Sequence, residues 1–318
     1  YKTGETDINY DAVEASAQAP KYITGTVERM AVSTLEDLLI VKGDSGSTLF
    51  AYKFFKTERG RVQASWFKFT FNNCTVIDIH FILNDLYMII KRGTKTYLEK
   101  MNLQSGRVDL GKSYTTHLDR RIKVTGDGSD VPAAGYTINL ENTVRPDYED
   151  EGDTLQVVSA DGEIMTVAST TSNTITLEES FAADDVFYIG VPYTLRYEVT
   201  PPILKRPKEG GGYEAMVTGR HQLRYMTVIY DETSHFTVRV TPDIGGSDGD
   251  SIDYPFSGRF LSAGGFLGSV PSESGDFRFP IFTQSDSVKI EILNDSPLPS
   301  NIQSLEFEAQ YTARSQRT

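Results

Sequence analysis

Residues 29–43 read RMAVSTLEDLLIVKG, and residues 77–93 read IDIHFILNDLYMIIKRG. Both stretches alternate apolar and polar side chains, the pattern of half-buried β-strands, and both break at a polar turn. In each of them an acid, Asp37 or Asp85, is followed by an apolar run, so the pattern repeats after about 48 residues, near the roughly 40–50 of four-stranded propeller blades. The sequence therefore predicts propeller-like β-repeats.

A third strand follows each hairpin, TLFAYKFF at residues 48–55 and TKTYLEKMNL at residues 94–103. The stretch SWFKFTF at residues 65–71 is predicted to be an outer or bridging strand, with Trp66 as a packing residue. Two blades cannot close a ring, because propellers contain about four to eight. We therefore expect the other blades to lie in sequence beyond this chain, which opens at Tyr1 without an initiating Met.

The composition changes near Asp119. Between Arg145 and Asp185, eleven acidic residues stand against one basic residue, Arg145 itself. Short alternating strands run through this region, and Asp161-Gly162 between two of them is a hairpin signal, because Gly accepts the positive φ that tight turns require. The sequence predicts a small acidic β-barrel or β-sandwich here, inserted into the rest of the chain.

A steady series of strands separated by Gly, Pro and Asp turns follows residue 191, as in antiparallel β-sandwiches. Pro201, Pro202 and Pro207 cannot continue the interior of a sheet, so we interpret them as part of a linker. The predicted fold class is all-β. Its three predicted domains are incomplete propeller-like repeats at residues 1–118, a small acidic inserted β domain at 119–190 and a C-terminal antiparallel β-sandwich at 191–318.

The chain is acidic, with a net charge of −13 and a pI of about 4.8. Such a charge argues against contacts that read a DNA or RNA sequence, because acidic surfaces repel phosphates. Cys74 is the only cysteine, which excludes an internal disulfide and a cysteine-built metal site. No apolar run approaches the roughly 20 residues of a membrane helix, so we predict no membrane segment.

Motifs for catalysis are absent from the sequence. The four histidines form neither HExxH nor His-x-His, and the GDSGS at residues 43–47, although similar to the surroundings of a chymotrypsin-type serine, has no histidine before it. Acids alternate at residues 147–153 and 245–253, but without the order of an EF-hand calcium loop. We predict no catalytic residue, no metal site and no cofactor.

Short motifs occur along the chain in the order of a known family. In the first third they are APKYI at residues 19–23, FAYKFF at 50–55 and QASWF at 63–67. In the last third they are GVPYTLRYEVT at 190–200, TGRHQLRY at 218–225, SGRF at 257–260, GDFRFPI at 275–281, LNDSPLP at 293–299 and EAQYTARS at 308–315. With these motifs the chain resembles tail tubular protein B, the nozzle protein of short-tailed bacteriophages, in its C-terminal part. Phe67-Lys68-Phe69 departs from the family, which often has a second Trp there, and the acidic insert matches no family motif.

The resemblance implies a structural protein of the phage tail in the virion, commonly a ring of six copies. Its implied partners are the tail adaptor (tubular protein A), the tail fibres and double-stranded DNA that passes without specific binding. The DNA would pass through the lumen of the ring. Acidic side chains on that lumen would repel the DNA phosphates and keep the DNA moving. Two acidic stretches are the candidate lumen or gate loops, and their residues are Asp147, Glu149, Asp150, Glu151, Asp153, Asp243, Asp248, Asp250 and Asp253.

Two other functions stay open at this point. A tail-borne polysaccharide depolymerase needs only a pair of carboxylates, and the 44 acids of the chain give no reason to choose one pair. A carbohydrate-binding sandwich would use aromatic faces, and the single Trp66 counts against it.

Overall fold

A computed structural model describes residues 19–23, 25–44, 46–57, 60–104, 108–109, 114–124, 135–140, 155–171, 173–182, 185–208, 211–216, 219–243, 246–258 and 272–313. These residues form β-strands joined by turns, with no helix among them, which confirms the all-β prediction. The chain divides into two compact units, residues 1–107 and 108–318. The division into three domains at 118/119 and 190/191 stays a prediction.

The first unit contains two antiparallel sheets in which each strand pairs with the next along the chain. The first sheet consists of β1 (Val27–Ser33), β2 (Leu38–Gly43), β3 (Thr48–Thr57) and β4 (Gly60–Thr70). The second consists of β5 (Thr75–Ile82), β6 (Asp85–Arg92) and β7 (Lys95–Asn102). The described strands confirm that the pattern strand, turn, strand, strand occurs twice. That the two copies are propeller blades stays a prediction.

One face of each sheet in the first unit contributes to a shared core. Alternation along the strands places every second side chain on that face. Ile40 and Leu49 from the first sheet, and Leu86 and Ile90 from the second, have no exposed surface. Trp66 lies on β4, the outermost strand of the first sheet, with its ring centroid 4.8 Å from that of Tyr52.

The second unit begins with a sandwich of two antiparallel sheets. One sheet has the order β11-β10-β14-β8 and the other β12-β13-β9. Their strands are β8 (Asp119–Val124), β9 (Gly135–Asn139), β10 (Gln156–Ser159), β11 (Ile164–Met165), β12 (Val167–Thr170), β13 (Thr174–Phe181) and β14 (Phe187–Val191). Side chains from both sheets form one core, with Ile138, Ile175 and Ile189 fully buried. Of the two architectures predicted for this region, the described residues form the sandwich, and none of their sheets closes into a barrel.

A second sandwich follows, again of two antiparallel sheets around one core. The sheet orders are β15-β22-β19-β20 and β21-β18-β23. The strands are β15 (Leu195–Glu198), β18 (Gly219–Thr233), β19 (His235–Pro242), β20 (Ile252–Ser257), β21 (Glu273–Gln284), β22 (Val288–Asn294) and β23 (Ile302–Ala313). Phe236 lies at the centre of this core, stacked on Phe256 at 4.8 Å and edge-on to Phe277 at 5.6 Å.

The stretch interpreted as a linker forms a small hairpin of its own. It consists of β16 (Lys205–Pro207) and β17 (Tyr213–Ala215), which pair only with each other among the described strands. Pro207 is compatible with this strand because both strands of a two-stranded hairpin are edge strands, so the nitrogen of Pro207 can face away from the ladder. Gly211 and Gly212 make the turn at φ +96° and +88°, a conformation that Gly adopts without strain.

Both sandwiches of the second unit meet at the connection between β22 and β23. The backbone N–H of His117 donates to the carbonyl of Pro297 at 2.7 Å, and the His117 ring lies 3.3 Å from the Tyr193 hydroxyl. The first sandwich therefore adjoins the end of the second sandwich where β22 finishes. The loop between β19 and β20 lies at the other end, because β19 runs antiparallel to β22.

Candidate functional site

The first predicted acidic loop falls outside the described part of the chain. Its residues are Asp147, Glu149, Asp150, Glu151 and Asp153, within the gap between residues 140 and 155. Its role stays a prediction. The second predicted loop is described except for residues 244 and 245.

The second loop, from Asp243 to Asp250, joins β19 to β20 as a closed turn. The Asp243 carboxylate accepts a hydrogen bond from the backbone N–H of Gly246 at 2.8 Å, and Asp243 forms a backbone bridge with Asp248. Gly246 has a φ of +87°, which a side chain would strain. The N–H of Gly249 donates to the carbonyl of Pro242 at 2.7 Å. These hydrogen bonds within the loop fix its backbone conformation, and the carboxylates of the loop lie at the surface.

We name this end of the second sandwich the acidic tip, consisting of Asp243, Asp248, Asp250 and Asp286. The turn that carries Asp286 joins the loop through a hydrogen bond from the Asp243 N–H to the Ser287 carbonyl at 2.9 Å. Asp243, Asp248 and Asp250 are exposed, and within the described residues no cation forms an ion pair with them. The tip therefore presents uncompensated negative charge to solvent.

Asp253, the last residue of the predicted set, lies on the sheet face and away from the tip. It belongs to a row that crosses all four strands of its sheet, Glu198 to Glu291 to Arg239 to Asp253. Arg239 donates to both carboxylate oxygens of Asp253, at 2.7 and 2.8 Å. The structure thus separates the predicted loop into a group of unpaired acids and one acid held in a charged ladder.

Glu291 is the buried member of this row, with 7% of its side chain exposed. Arg196 from β15 and Lys289 from its own strand form ion pairs with it, the latter at 3.2 Å. Burial pushes the pKa of Glu291 upward, but the hydrogen bonds from Arg196 and Lys289 outweigh burial, and the pKa lies below its ordinary value. The hydrogen bond from Arg239 similarly lowers the pKa of Asp253. Both carboxylates are therefore ionised at neutral pH.

The sequence contains a signal for this ladder, although it has no defined motif. Arg239 stands between Val238 and Val240, and Glu291 stands between Ile290 and Ile292. Period-two alternation places charged residues in such positions on the outer face of a sheet. The partner of each charge depends on strand register, which alternation does not specify.

His221 lies beside a serine in the second sandwich. His221 Nδ1 lies 3.1 Å from the Ser285 hydroxyl, a pairing seen in serine hydrolases, but Ser285 is largely buried and the His221 ring packs edge-on against Phe307 at 6.2 Å. Within the described ranges, no group of three His, Cys, Asp or Glu side chains is arranged to hold a metal ion. No helix in the same ranges is long and apolar enough to cross a membrane.

The two sandwiches of the second unit and the antiparallel sheets of the first define an all-β protein. The chain belongs to the bacteriophage nozzle protein family, whose sequence model matches residues 1–318. The resemblance to the phage nozzle is thereby confirmed, and the protein is a structural component of a phage tail.

A curated relative is similar to nearly the whole chain. Tail tubular protein gp12 of Escherichia phage T7 is 24% identical over 315 residues, which cover 96% of this chain and 39% of that protein. The chain therefore spans about two fifths of the length of the relative that it matches.

Proposed function

We propose that the protein is a subunit of the nozzle ring, and that this ring forms the conduit and the gate for DNA ejection. The observation that carries the proposal, beyond family membership, is the acidic tip. Asp243, Asp248 and Asp250 project from one end of the second sandwich without a compensating cation in the described part of the chain. An acidic surface repels DNA, so it suits the wall of a passage through which DNA must move without binding.

The physical argument rests on like-charge repulsion between carboxylates and phosphates. Proteins that bind DNA neutralise phosphates with Lys and Arg, and a conduit with that chemistry would retain its passenger. Exposed charges act over about 10 Å at 0.1 M salt, so acids at the tip would keep a duplex from settling on the wall. The acidic stretch at residues 147–153 is the second candidate for the same role.

The partners follow from the nozzle assignment. We propose a homo-oligomeric ring, commonly of six copies, that contacts the tail adaptor (tubular protein A) on one side and the tail fibres around it. Double-stranded DNA passes through without a specific contact. Family membership supports a tail assembly, and the composition of the ring is part of the proposal.

A role without chemical turnover fits the carboxyl groups of the described residues. A glycosidase needs a carboxylic acid whose pKa is raised so that it can donate a proton. Where the described carboxyl groups depart from their ordinary pKa, at Glu179, Asp253 and Glu291, the pKa is lowered. No observation in the described residues favours a polysaccharide depolymerase or a carbohydrate-binding module.

The ring is tested by imaging the full-length protein with negative stain and weighing it by mass photometry. A closed ring that joins purified adaptor is expected, and a strict monomer that never joins the adaptor would contradict the proposal. The conduit is tested with phage carrying Asp248→Lys and Asp250→Lys. Slower DNA release than in phage carrying Glu163→Lys, an exposed acid in the first sandwich, is expected. Equal release rates would contradict a lumen or gate role for the tip.

A further inference from the structure

We propose that the β16–β17 hairpin of one subunit docks on the free edge of β23 in a neighbouring copy of this chain. The inference rests on the proposed ring and names the contact that holds it together. We call residues 203–216 the arm. The arm and the β23 edge are two different surfaces of one chain, which is the arrangement that a ring with head-to-tail contacts requires.

The arm is held only by its own hydrogen bonds among the described residues. Lys208 N–H donates to the Gly212 carbonyl at 3.1 Å, and Met216 N–H donates to the Leu204 carbonyl at 2.8 Å. Ile203 is 61% exposed and Tyr213 is 76% exposed. A two-stranded hairpin is marginal in water by itself, so two exposed large apolar side chains on it indicate a surface that becomes covered.

The arm is also basic in a chain whose net charge is −13. Arg206 forms an ion pair with Glu214 across the hairpin. Lys205 and Lys208 are exposed, and no carboxylate of the described chain pairs with them. By sequence the arm carries three basic and two acidic residues, and Lys205 and Lys208 are the cations that it offers to an acidic partner.

β23 is the unprotected edge of the second sandwich. It is 12 residues long, and within the described residues it pairs on one side only, with β18. The other edges carry devices that hinder further pairing: β20 contains Pro255, β21 contains Pro280, and β15 has 4 residues. An edge of this length without Pro or Lys is a template for an incoming strand.

The β23 edge matches the arm in charge and in apolar surface. Glu306 and Glu308 are exposed on β23, and Glu306 has no cation partner within the described ranges. Phe307 between them is 46% exposed. Lys205 on a strand added to this edge could face Glu306, which would pair two charges that have no partner within the described residues, and the docked arm would cover part of Phe307. Two copies of β23 paired with each other would instead oppose like charges.

The experiment uses charge reversal in the full-length protein. One variant carries K205E and K208E, a second carries E306K and E308K, and a third carries all four substitutions. The apparent dissociation constant of the ring is expected to rise at least about 10-fold in each two-site variant and to recover in the four-site variant, since close charge pairs at interfaces couple strongly. Lys123→Glu, an exposed lysine of the first sandwich, is the matched control. Thermal unfolding by circular dichroism checks that each variant folds.

The outcomes separate this inference from the ring itself. A wild-type protein that forms no ring overturns the proposed function. A wild-type ring that persists in the K205E and K208E variant leaves the proposed function in place and overturns the arm contact. Loss of the ring in both two-site variants without recovery in the four-site variant overturns the pairing of arm and edge. A normal ring with weakened binding to a 30-base-pair duplex would assign the arm to nucleic acid and overturn the inference.

Discussion

Arg239 lies directly opposite Glu291 across the ladder between β19 and β22, yet it donates its hydrogen bonds to Asp253 on the other neighbouring strand. Glu291 is held instead by Arg196 and Lys289. Arg239 thus pairs with one of its two cross-strand neighbours, and Arg196 pairs with both Glu198 and Glu291, which lie opposite each other as like charges. The row ties β15, β22, β19 and β20 together on the outer face of the sheet, while the apolar side chains between these charges fill the core.

Replacing Glu291 with Gln is expected to lower the free energy of unfolding by about 1 kcal/mol, because charge-assisted bonds become neutral ones and solvent screens the half-exposed Arg196. Asp253→Asn is the matched change in the same row. Its effect should be smaller, since Asp253 and Arg239 are both more than 40% exposed. Urea denaturation measures both values. Equal losses of unfolding free energy for the two substitutions would show that the burial of Glu291 does not strengthen its ion pairs.

Acid should weaken the second sandwich through the same two carboxylates. Both have a folded-state pKa below the ordinary value, 3.8 for Asp253 and 4.5 for Glu291. Such groups add stability above their unfolded pKa, and this stability is lost as the pH falls through the folded value. We expect the difference in unfolding free energy between the wild type and the double variant Asp253→Asn, Glu291→Gln to shrink from pH 6 to pH 3. A difference that stays constant from pH 6 to pH 3 would contradict the lowered pKa values of Asp253 and Glu291 in the folded protein.

Gly190→Ala should destabilise the first sandwich by about 1–3 kcal/mol, because the added methyl meets a rigid backbone. An ideal Cβ at Gly190 would lie 2.7 Å from the Asp119 carbonyl oxygen and 2.8 Å from the Leu118 Cβ. Gly219→Ala is the control. The three atoms nearest to its Cβ would all belong to the Tyr311 side chain, the first at 2.3 Å, and that side chain lies on an edge strand from which it can turn away. Thermal denaturation compares the two, and a larger loss at Gly219 would refute the distinction.

Phe236→Ala should cost about 3–5 kcal/mol of unfolding free energy, because the ring is fully buried among other aromatic rings. Phe282→Ala removes the same ring from a surface position that is 50% exposed. There the ring contacts Tyr225 edge-on at 5.1 Å, and the expected loss is about 1 kcal/mol. Guanidinium denaturation provides both measurements. Comparable losses would place Phe236 outside a tightly packed core.

The sequence alone was sufficient to predict that the elements are strands and to identify the family. Period-two alternation gave the strands, because a strand buries every second side chain whatever it packs against. Asp161-Gly162 correctly predicted the hairpin between β10 and β11, where Gly162 has a φ of +83°. The turn chemistry is local, so it can be read without knowledge of the rest of the fold.

Prediction from sequence was less successful where the outcome depends on distant residues. Pro201, Pro202 and Pro207 were interpreted as a linker, although Lys205–Pro207 pairs with Tyr213–Ala215. Proline limits which edge of a strand can pair, and it does not prevent a short two-stranded arm. The choice between barrel and sandwich for the acidic region also stayed open in the sequence, because alternation is the same in both.

Composition and alternation by themselves determined that this protein is acidic and all-β, since burial of alternate side chains and net charge are properties of the chain, and the ordered motifs carried its resemblance to the nozzle family. Only the tertiary structure decided which of the described acids are held in ion pairs. Among the described residues, Asp248 and Asp250 have no cation partner at the tip of the second sandwich, while Asp253 lies beside Arg239. These residues lie within a few positions of one another, but strand register, set by packing across the sandwich, determines which cation each carboxylate meets.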